Sequence, residues 1–448
     1  MDPPDPRERI RPSATVLLYR RAPGLEVYLV ERSTKTRFFP GYHAFPGGVL
    51  DPGETDRARA AIRELEEETQ VRIGTDALRQ AATLVTPPFG PTRYDTTFFL
   101  AELPAGQEPR VDGEELVGGR WIAPREAIRK FEEEAWPVPP PTLAFLRALE
   151  ATGDPARVAD ETRALDGAPH HERFKIEMHP GVYVLPLRAP TLPPATTQNC
   201  WILDGDPVVV IDPGTPRADQ LPALFHTLDG LTQDGREVLV ALTHHHADHV
   251  AAAQHVKSRY QAQVVAHSAT QDALPRRLVD EAIEDEHEID LGAWGARDWT
   301  LTALHTPGHA SGHLAFCDSR WGAIFAGDLV SGVSTILIDP DEGDMGEYMR
   351  SLQRCADLKP PIVLAGHGPA LPGSAFAKTL EHRKMREAKT LLALAKGPRA
   401  VAQLLPEVYD DTPQEAWPLA ERSLQSILLH LEREGRAARE GDDTWRAT

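Results

Sequence analysis

The chain has 448 residues, of which 41% are hydrophobic and 26% are charged, and its formal net charge is −19. That length predicts roughly two to four domains, and the acidic balance disfavours electrostatic binding along duplex nucleic acid. No stretch approaches the ~20 apolar residues of a membrane span, and the first residues lack the apolar core of a signal peptide. With 3 widely spaced cysteines, we expect a cytoplasmic protein without disulfides or a membrane partner.

The N-terminal third alternates short apolar strands with turns. Its predicted elements are strands at 14–20, 25–31, 80–86 and 94–103, an extended segment at 120–124, and helices at 54–69 and directly after the proline run 137–141. The turn RAPG indicates a hairpin between the first two strands, and a Pro/Gly loop at 39–48 precedes the first helix. A polar stretch without strong periodicity, 152–172, is predicted to be a linker.

Three glutamates share one face of the helix predicted over 54–69. Glu64, Glu67 and Glu68 follow the i, i+3, i+4 spacing, which places their Cβ atoms about 5–6 Å apart. Like charges this close are unfavourable unless a cation joins them, and carboxylate oxygens suit Mg²⁺ or Mn²⁺, which can also hold a diphosphate. The neighbouring Arg63 can orient one of the glutamates. The alternative is an ordinary acidic surface helix.

This helix and the loop before it resemble the signature of the Nudix hydrolases. Gly48 and Glu54 match its loop, and Arg63-Glu64-Leu65-Glu66-Glu67-Glu68 matches its helix. There are two departures: one extra residue separates Glu54 from Arg63, which is expected to shift the loop against the helix, and Gln70 replaces a glycine. Segments over about 12–150 are similar to the coenzyme A diphosphatase branch. The resemblance implies a Nudix-like α/β/α sandwich at 1–151 and a diphosphatase activity, with Mg or Mn, on a nucleotide or coenzyme A derivative.

After the predicted linker, short strands end repeatedly in polar motifs. VYVLPL, NCWIL, PVVVIDPG and REVLVALT are apolar segments separated by turns, and WTLTALHTPGH and WGAIFAGD repeat the pattern. This repetition predicts an α/β sandwich over 173–376. From 377 to 448 the chain turns helical, and three helices followed by a short hairpin predict a winged helix.

The segment THHHADH (243–249) has the spacing of a metal site. At the end of a strand, residues two apart point the same way, so His244 and His246 can bind one ion. Asp248 and His249 lie on the turn into the next helix and aim at a neighbouring point. Two borderline ions with imidazole and carboxylate ligands suit that geometry. An isolated histidine at a strand end, by contrast, is commonly a surface or capping residue.

Further ligands occur later in the chain, each after a strand. The inferred set is His244, His246 and His309 on one metal, Asp248, His249 and His367 on the other, and Asp328 as the bridge. A hydroxide shared between the two ions is the expected nucleophile, and Asp248 is expected to help orient it. We expect His245, His305 and His313 to support the ligands or the fold instead of binding metal.

These motifs, over about 173–375, resemble the metallo-β-lactamase superfamily. The resemblance implies an αββα sandwich and a hydrolase site with two ions, usually zinc, with Mn or Fe as alternatives. THHHADH and HASGH are similar to glyoxalase II, a thioester hydrolase. GDMGEYMRSLQRC, AGHGP, EHRKMREAKTLLAL and the winged helix are similar to the β-lactamase-like protein 2 group, whose members act as single-stranded-RNA endoribonucleases.

The predicted winged helix carries basic residues, Arg383, Lys384, Arg386 and Lys389, interleaved with Glu381 and Glu387. Such a run is usually a solvated helix face, and it is a weak indication of RNA contact.

The sequence as a whole therefore predicts an α/β multidomain, metal-dependent hydrolase. The first hypothesis is cleavage of phosphodiesters such as single-stranded RNA, with a Nudix activity on a small-molecule nucleotide or coenzyme A substrate. The alternative is hydrolysis of a glutathione or acyl-coenzyme A thioester, with the Nudix domain as a ligand sensor. In a third, non-enzymatic reading the winged helix mediates dimerisation or nucleic-acid binding and the Nudix half senses a bound ligand. Dimerisation would make the protein a homo-oligomer.

Overall fold

The computed structural model describes residues 9–21, 23–33, 41–89, 92–134, 136–164, 176–295, 297–441 and 443–448. It divides into two compact units, Met1–Pro186 and Leu187–Thr448. Among the described residues, no helix combines the length and apolarity that crossing a membrane requires.

The first unit is built on a mixed sheet. Its strands are β1 (Arg9–Arg20), β2 (Glu26–Arg32), β3 (His43–Ala44), β4 (Gly47–Val49), β5 (Arg79–Val85), β6 (Thr92–Glu102) and β7 (Leu116–Ile122). They pair in the order β3-β2-β1-β6-β5, with β4 on β1 and β7 on β2. The long β1 and β6 are parallel, whereas β1 and β2 form the antiparallel hairpin that the sequence predicts.

Helices cover both faces of this sheet. They are α1 (Arg57–Thr69), α2 (Pro124–Glu134), α3 (Pro140–Thr152) and α4 (Pro155–Ala164). Alternate residues of β1 point to opposite faces: Val16 and Leu18 share a core with Leu65 of α1, while Leu17 shares one with Phe145 of α3. The first unit is therefore the α/β/α sandwich that the Nudix resemblance implies.

The prediction of a linker over 152–172 is wrong for its first part. Residues 155–164 form α4, and Val158 and Ala159 are fully buried in the same core as Phe145. A short helix that buries so few apolar side chains leaves a weak periodic pattern, which explains the error. The rest of the predicted linker, 165–172, lies outside the described residues. The boundary between the units falls later, within the antiparallel hairpin of β8 (Glu177–His179) and β9 (Val182–Arg188).

The second unit contains two sheets and a helical C-terminal part. The first sheet runs in the order β14-β13-β12-β11-β10 and the second in the order β15-β16-β17-β18-β19-β20. The strands are β10 (Thr197–Leu203), β11 (Val208–Ile211), β12 (Val238–Ala241), β13 (Gln263–Ala266), β14 (Glu281–Ala282), β15 (Glu288–Trp294), β16 (Arg297–His305), β17 (Leu314–Asp318), β18 (Ile324–Gly327), β19 (Ile362–Ala365) and β20 (Leu371–Pro372). The helices between them are α5 (Leu221–Leu231), α6 (Ala247–Val250), α7 (Ala253–Tyr260), α8 (Ser268–Ala273) and α9 (Met345–Asp357).

The C-terminal part is a winged helix that packs onto the second sheet. Its elements are α10 (Ala375–Leu394), β21 (Arg399–Ala400), α11 (Val401–Val408), α12 (Trp417–Arg433), β22 (Ala437–Arg439) and β23 (Thr444–Ala447), the last two being antiparallel. Leu424 and Ile427 of α12 share one continuous core with Ile324 of β18 and Val363 of β19. The winged helix and the sandwich therefore form one packed body, although the sequence predicted them as separate domains.

Candidate functional site

The predicted metal ligands follow strands whose carboxyl ends meet. His244 and His246 follow β12, Asp328 follows β18, and His367 follows β19, which is parallel to β18. His309 follows β16. The structure brings all seven predicted ligands into overlapping groups of His and Asp whose ligand atoms lie within 4.8 Å of one another.

One group consists of three histidines. The Nδ1 atom of His246 lies 2.9 Å from Nε2 of His244 and 3.0 Å from Nε2 of His309. Three ring nitrogens that converge in this way, with His244 fully buried, would supply three of the four ligands that a tetrahedral ion such as zinc takes. This is the first predicted ion site.

The second group contains Asp248, His249 and His367, with Asp328 between the two groups. His367 Nε2 lies 3.5 Å from Asp248 Oδ2 and 3.4 Å from Asp328 Oδ1, which is also 3.4 Å from His249 Nε2. The second oxygen, Asp328 Oδ2, lies 3.5 Å from His309 Nε2 in the first group. Asp328 therefore places one carboxylate oxygen against each group, as the predicted bridge between two ions would require.

Each of the five candidate histidine ligands has a hydrogen-bond partner for its other ring nitrogen. The pairs are His244 Nδ1 with Thr243 Oγ1 (2.9 Å), His246 Nε2 with Glu342 (3.0 Å), His249 Nδ1 with Asp212 (2.8 Å), His309 Nδ1 with the Leu337 carbonyl (2.9 Å) and His367 Nδ1 with the Thr197 carbonyl (2.9 Å). Such partners fix the tautomer and the ring orientation of a metal-binding histidine. The arrangement leaves one nitrogen of every ring directed into the cluster.

The donor set fits divalent ions. His249 Nε2 and Asp328 Oδ1 are buried and lack a hydrogen-bond partner, which is costly unless a cation binds them. Burial and the neighbouring His249 lower the pKa of His244 well below its usual range, so it is held in the neutral form that binds metal. Despite burial, His367 and His249 hold the pKa of Asp328 well below its usual range.

A glycine is required beside the cluster. A Cβ at Gly366 would lie 2.8 Å from the His249 ring and 2.9 Å from Asp328 Oδ1. Any larger residue at this position would displace ligands of the second group.

Two supporting carboxylates were missed by the sequence analysis. Asp212 accepts hydrogen bonds from the backbone and hydroxyl of Thr243 in addition to contacting His249. It directly follows β11, as Asp328 follows β18, so its position at a strand end could have revealed it. Glu342 lies in the loop before α9 and contacts both His245 and His246; no pattern in the sequence marks it.

Of the remaining histidines of these motifs, His245 joins His246 and Glu342 in a further group whose ligand atoms lie within 4.8 Å of one another, whereas His305 and His313 belong to no such group among the described residues. The backbone N–H of Asp328 donates to His313 Nε2 at 3.1 Å, and His305 stacks on His267 with ring centroids 4.2 Å apart. His245 lies 2.9 Å from Glu342. The contacts of His305 and His313 are consistent with the supporting roles that the sequence predicts, and the supporting role of His245 stays a prediction.

The glutamate helix in the first unit, α1, is organised around Arg63. Its guanidinium lies 2.8 Å from Glu64, 3.1 Å from Glu67 and 3.1 Å from Glu54. Glu54 therefore reaches Arg63 despite the extra residue, and Gly48 still lies so close to Glu64 that a Cβ would stand 2.4 Å from its carboxylate. The expected shift of the loop does not separate these residues.

The three predicted Mg²⁺ ligands are not gathered as closely as the histidine cluster. In the described ranges, Glu64, Glu67 and Glu68 do not form a group of three with ligand atoms within 4.8 Å of one another. Glu68 accepts a hydrogen bond from the Gly47 amide at 2.9 Å. Burial raises the pKa of Glu68 to about 7, as expected for a carboxylate with too little positive charge beside it, and a divalent cation would supply that charge.

The basic residues of α10 are largely engaged within the protein. Arg383 and Arg386 are buried; Arg383 donates to the Ile336 carbonyl, and Arg386 donates to the Val408 carbonyl and pairs with Asp411. Lys389 pairs with Asp410, whereas Lys384 is exposed. The run therefore does not present a continuous basic face to RNA.

Family models match three parts of the chain. The metallo-beta-lactamase superfamily matches residues 193–367, the NUDIX domain matches residues 9–145, and the beta-lactamase associated winged helix domain matches residues 400–445. The first match contains every residue of the histidine and aspartate cluster, and the second contains the glutamate helix.

Relatives of known name resemble the second unit. A beta-lactamase-like protein 2 homolog from Drosophila melanogaster is 28% identical over 252 residues, which are 53% of this chain and 83% of the relative. A hydroxyacylglutathione hydrolase from Acidiphilium cryptum is 33% identical over 149 residues, 33% of this chain and 57% of the relative. A beta-lactamase domain protein from Burkholderia ambifaria, solved by crystallography, has a TM-score of 0.52 and 20% identity, with 61% of this chain and 94% of the other covered, and this likeness shows the fold. The chain is therefore a metal-dependent hydrolase that joins a NUDIX domain, a metallo-beta-lactamase superfamily domain and a beta-lactamase associated winged helix domain.

Proposed function

We propose that the metallo-beta-lactamase domain hydrolyses a thioester at a centre of two divalent ions, zinc being the first candidate. His244, His246 and His309 would hold one ion, Asp248, His249 and His367 the other, and Asp328 would bridge them. The observation that supports this proposal is that His249 Nε2 and Asp328 Oδ1, which lie 3.4 Å apart, are buried without a hydrogen bond inside a ring of oriented histidines. Ions bound there would supply an acidified water and positive charge against the developing oxyanion.

The residues of the chain would prepare the attack. Asp248 belongs to the second group, and its side chain is 18% exposed, against 0% for His249. It is therefore placed to accept a hydrogen bond from the attacking water and to orient it. A thiol ionises near pH ~8.5 and can leave as a thiolate, which favours a thioester over an alcohol ester.

The charges around the cluster also favour a thioester over a polyanionic strand. Glu342 lies against His245 and His246 at the more exposed side of the first group. Of the four basic side chains that suggested RNA contact, Arg383 and Arg386 are buried and Lys389 pairs with Asp410 at the surface. The 33% identity to a hydroxyacylglutathione hydrolase over part of the domain is consistent with this substrate class.

Cleavage of single-stranded RNA is the second candidate. It is favoured by the match to a beta-lactamase-like protein 2 homolog along 83% of that relative and by the presence of the winged helix. The exposed Lys384 would then be available to a phosphate.

For the NUDIX domain we propose a Mg²⁺- or Mn²⁺-dependent diphosphatase that uses Glu64, Glu67 and Glu68, with Arg63 and Glu54 holding the helix and loop in register. Coenzyme A thioesters contain both a thioester and a diphosphate, so one molecule offers a bond to each domain. The buried carboxylate of Glu68 supports a cation at this helix.

A side-by-side assay of acyl-coenzyme A, a glutathione thioester and labelled single-stranded RNA tests the substrate class. We expect thioester hydrolysis that His246→Ala abolishes, while Mg²⁺-dependent release of a nucleotide from coenzyme A survives this change. Glu67→Gln should reduce the diphosphatase and leave thioester hydrolysis intact. RNA cleavage that depends on His246, without thioester hydrolysis, would select the second candidate. Metal analysis that finds no ions on the folded chain would contradict the centre itself.

A further inference from the structure

The loop between β18 and α9 supplies two of the contacts that orient the first group of histidines. We define it as the 336–344 loop. The Leu337 carbonyl lies 2.9 Å from His309 Nδ1, and the Glu342 carboxylate lies 3.0 Å from His246 Nε2. Two of the three rings of this group therefore depend on the position of one loop.

The winged helix holds the backbone of this loop at two residues, one on each side of Leu337. Arg383 donates to the Ile336 carbonyl from α10, and Ser426 of α12 donates to the Ile338 carbonyl at 2.6 Å. The carbonyl between them is the one that contacts His309. The winged helix thus fixes the two neighbours of the peptide group that orients the ligand.

Arg422 of α12 fixes the part of the loop that carries Glu342. Its guanidinium makes a bidentate pair with Asp339, at 2.6 Å to Oδ2 and 2.5 Å to Oδ1, and also reaches Asp341 at 2.6 Å. Asp339 Oδ1 accepts a hydrogen bond from the Asp341 amide, and the Asp339 carbonyl accepts one from the Gly343 amide at 2.7 Å. Asp339 is therefore the residue around which the turn is built, and a bidentate arginine pair is directional as well as attractive.

The end of the loop is fixed in the same way. The Asp344 amide donates to the Gly308 carbonyl at 2.8 Å, next to His309. The Asp344 side chain caps α9 by accepting from the Glu347 amide and pairs with Arg433 of α12. With both ends and the middle of the turn held, Glu342 projects toward His246 from a defined backbone.

From these contacts we infer that Arg422 is a positioning residue for the metal centre: through Asp339 and the turn that follows, it holds Glu342 against His246. This inference rests on the proposed two-ion centre and gives the winged helix a role inside the chain. Neither Arg422 nor Glu342 is a ligand in this scheme. The effect of Arg422 should therefore appear as a change in the affinity and coordination of the first ion.

The test uses the full chain and measures zinc affinity by competition with a chromophoric chelator, and coordination by the visible absorption of the Co²⁺-loaded protein. Removal of a group that orients a metal-binding histidine typically costs about 10–100-fold in affinity, and we expect this for Glu342→Ala. Arg422→Ala should weaken binding of the first ion by roughly tenfold or somewhat less. It should also change the Co²⁺ spectrum and affect binding of the second ion less. Arg422→Lys, which keeps the charge and loses the bidentate pair, should fall between wild type and Arg422→Ala.

A double-mutant comparison separates positioning from general destabilisation. If Arg422 acts through Glu342, adding Arg422→Ala to Glu342→Ala should lower the affinity for the first ion by no more than about a further twofold. The matched control is Arg399→Ala, which removes an ion pair with Glu407 inside the winged helix and should leave affinity and spectrum unchanged.

The inference would be overturned if Arg422→Ala and Arg422→Lys bound zinc with wild-type affinity. It would also be overturned if Arg422→Ala lowered the affinity as much in the Glu342→Ala background as in the wild-type background. An equal loss in Arg399→Ala would also overturn it, because the effect would then reflect weakened packing of the winged helix. A wild-type chain that binds no ions at the histidine cluster would instead contradict the proposed function, so the two failures are distinguishable.

Discussion

His249 Nδ1 lies 2.8 Å from Asp212 Oδ2, and the two side chains are 0% and 2% exposed. Asp212 also accepts hydrogen bonds from Thr243, the residue that precedes the first histidine of the cluster. One buried carboxylate therefore orients the His249 ring, a candidate ligand of the second ion, and fixes the start of the segment that carries His244 and His246.

Asp212→Asn should weaken binding of the second ion by about 10–100-fold. The amide keeps the size of the side chain, but its NH₂ group would face donors from Thr243 or His249, so at least one of them loses its acceptor. Chelator competition on the purified chain checks the change in affinity. Asp229→Asn, which alters an exposed pair with Arg259, serves as the control. Unchanged affinity in Asp212→Asn would show that His249 does not need this partner.

Gly366→Ala should disturb the same ion from another direction. The added Cβ would meet the His249 ring at 2.8 Å and Asp328 Oδ1 at 2.9 Å, both of which are buried and cannot move far. We expect the affinity for the second ion and the rate of hydrolysis each to fall by roughly tenfold or more, since even small shifts of reacting groups are costly. Gly230→Ala, where a Cβ meets nothing within 4 Å, should retain both. Full metal content in Gly366→Ala would contradict the tight packing.

The convergence of the candidate ligands could be predicted from the sequence because their pattern is local. His244, His246, Asp248 and His249 occur within six positions at a strand end, and each later ligand follows its own strand. The residues that orient them could not be found in this way. Glu342 acquires its role from a turn built on Asp339, which depends on Arg422 more than eighty residues later.

The basic run on α10 shows a second limit of prediction from charge alone. Here the helical spacing of the arginines already indicated that they face the core. Arg383 and Arg386 lie three residues apart on the helix face that also buries Leu380 and Ala393, as the spacing i, i+3 predicts. Charge alone suggested a solvated or RNA-binding face, whereas periodicity placed both arginines toward the core. The Ile336 and Val408 carbonyls and Asp411 accept hydrogen bonds from their terminal nitrogens, and the two guanidinium groups lie over the rings of Tyr348 and Tyr409, which offsets part of the cost of burying them.

Gln70 offers a test of the second departure from the Nudix signature. It ends α1 with φ 60° and ψ 12°, the left-handed conformation, and its backbone N–H donates to the Glu66 carbonyl. A side chain is strained there and glycine is not, so Gln70→Gly should stabilise the first unit by about 0.5–1 kcal/mol. Urea unfolding followed by circular dichroism measures this, with Gln70→Ala as the control that keeps the strain. Equal stability of the Gly and Ala variants would contradict the strain.

His43 should make the stability of the first unit depend on pH. Burial, with smaller contributions from Arg120 and Lys130, lowers the pKa of His43 to about 4. Its ring stacks on Trp136 with centroids 3.8 Å apart, and its Nδ1 is buried without a hydrogen-bond partner. The folded state therefore resists protonation, whereas an unfolded histidine takes up a proton near pH ~6.5.

The sign follows from this difference. A depressed folded pKa means that stability is fully present above pH ~6.5 and falls as the pH drops toward about 4, by up to roughly 3 kcal/mol. Urea midpoints measured between these pH values should decline more steeply for wild type than for His43→Gln, which cannot titrate. His255→Gln, on the exposed side of α7, should retain the wild-type slope. If the urea midpoint of His43→Gln falls with pH as steeply as that of wild type, the proton is taken up by another group. His43 would then not be the cause of the acid sensitivity.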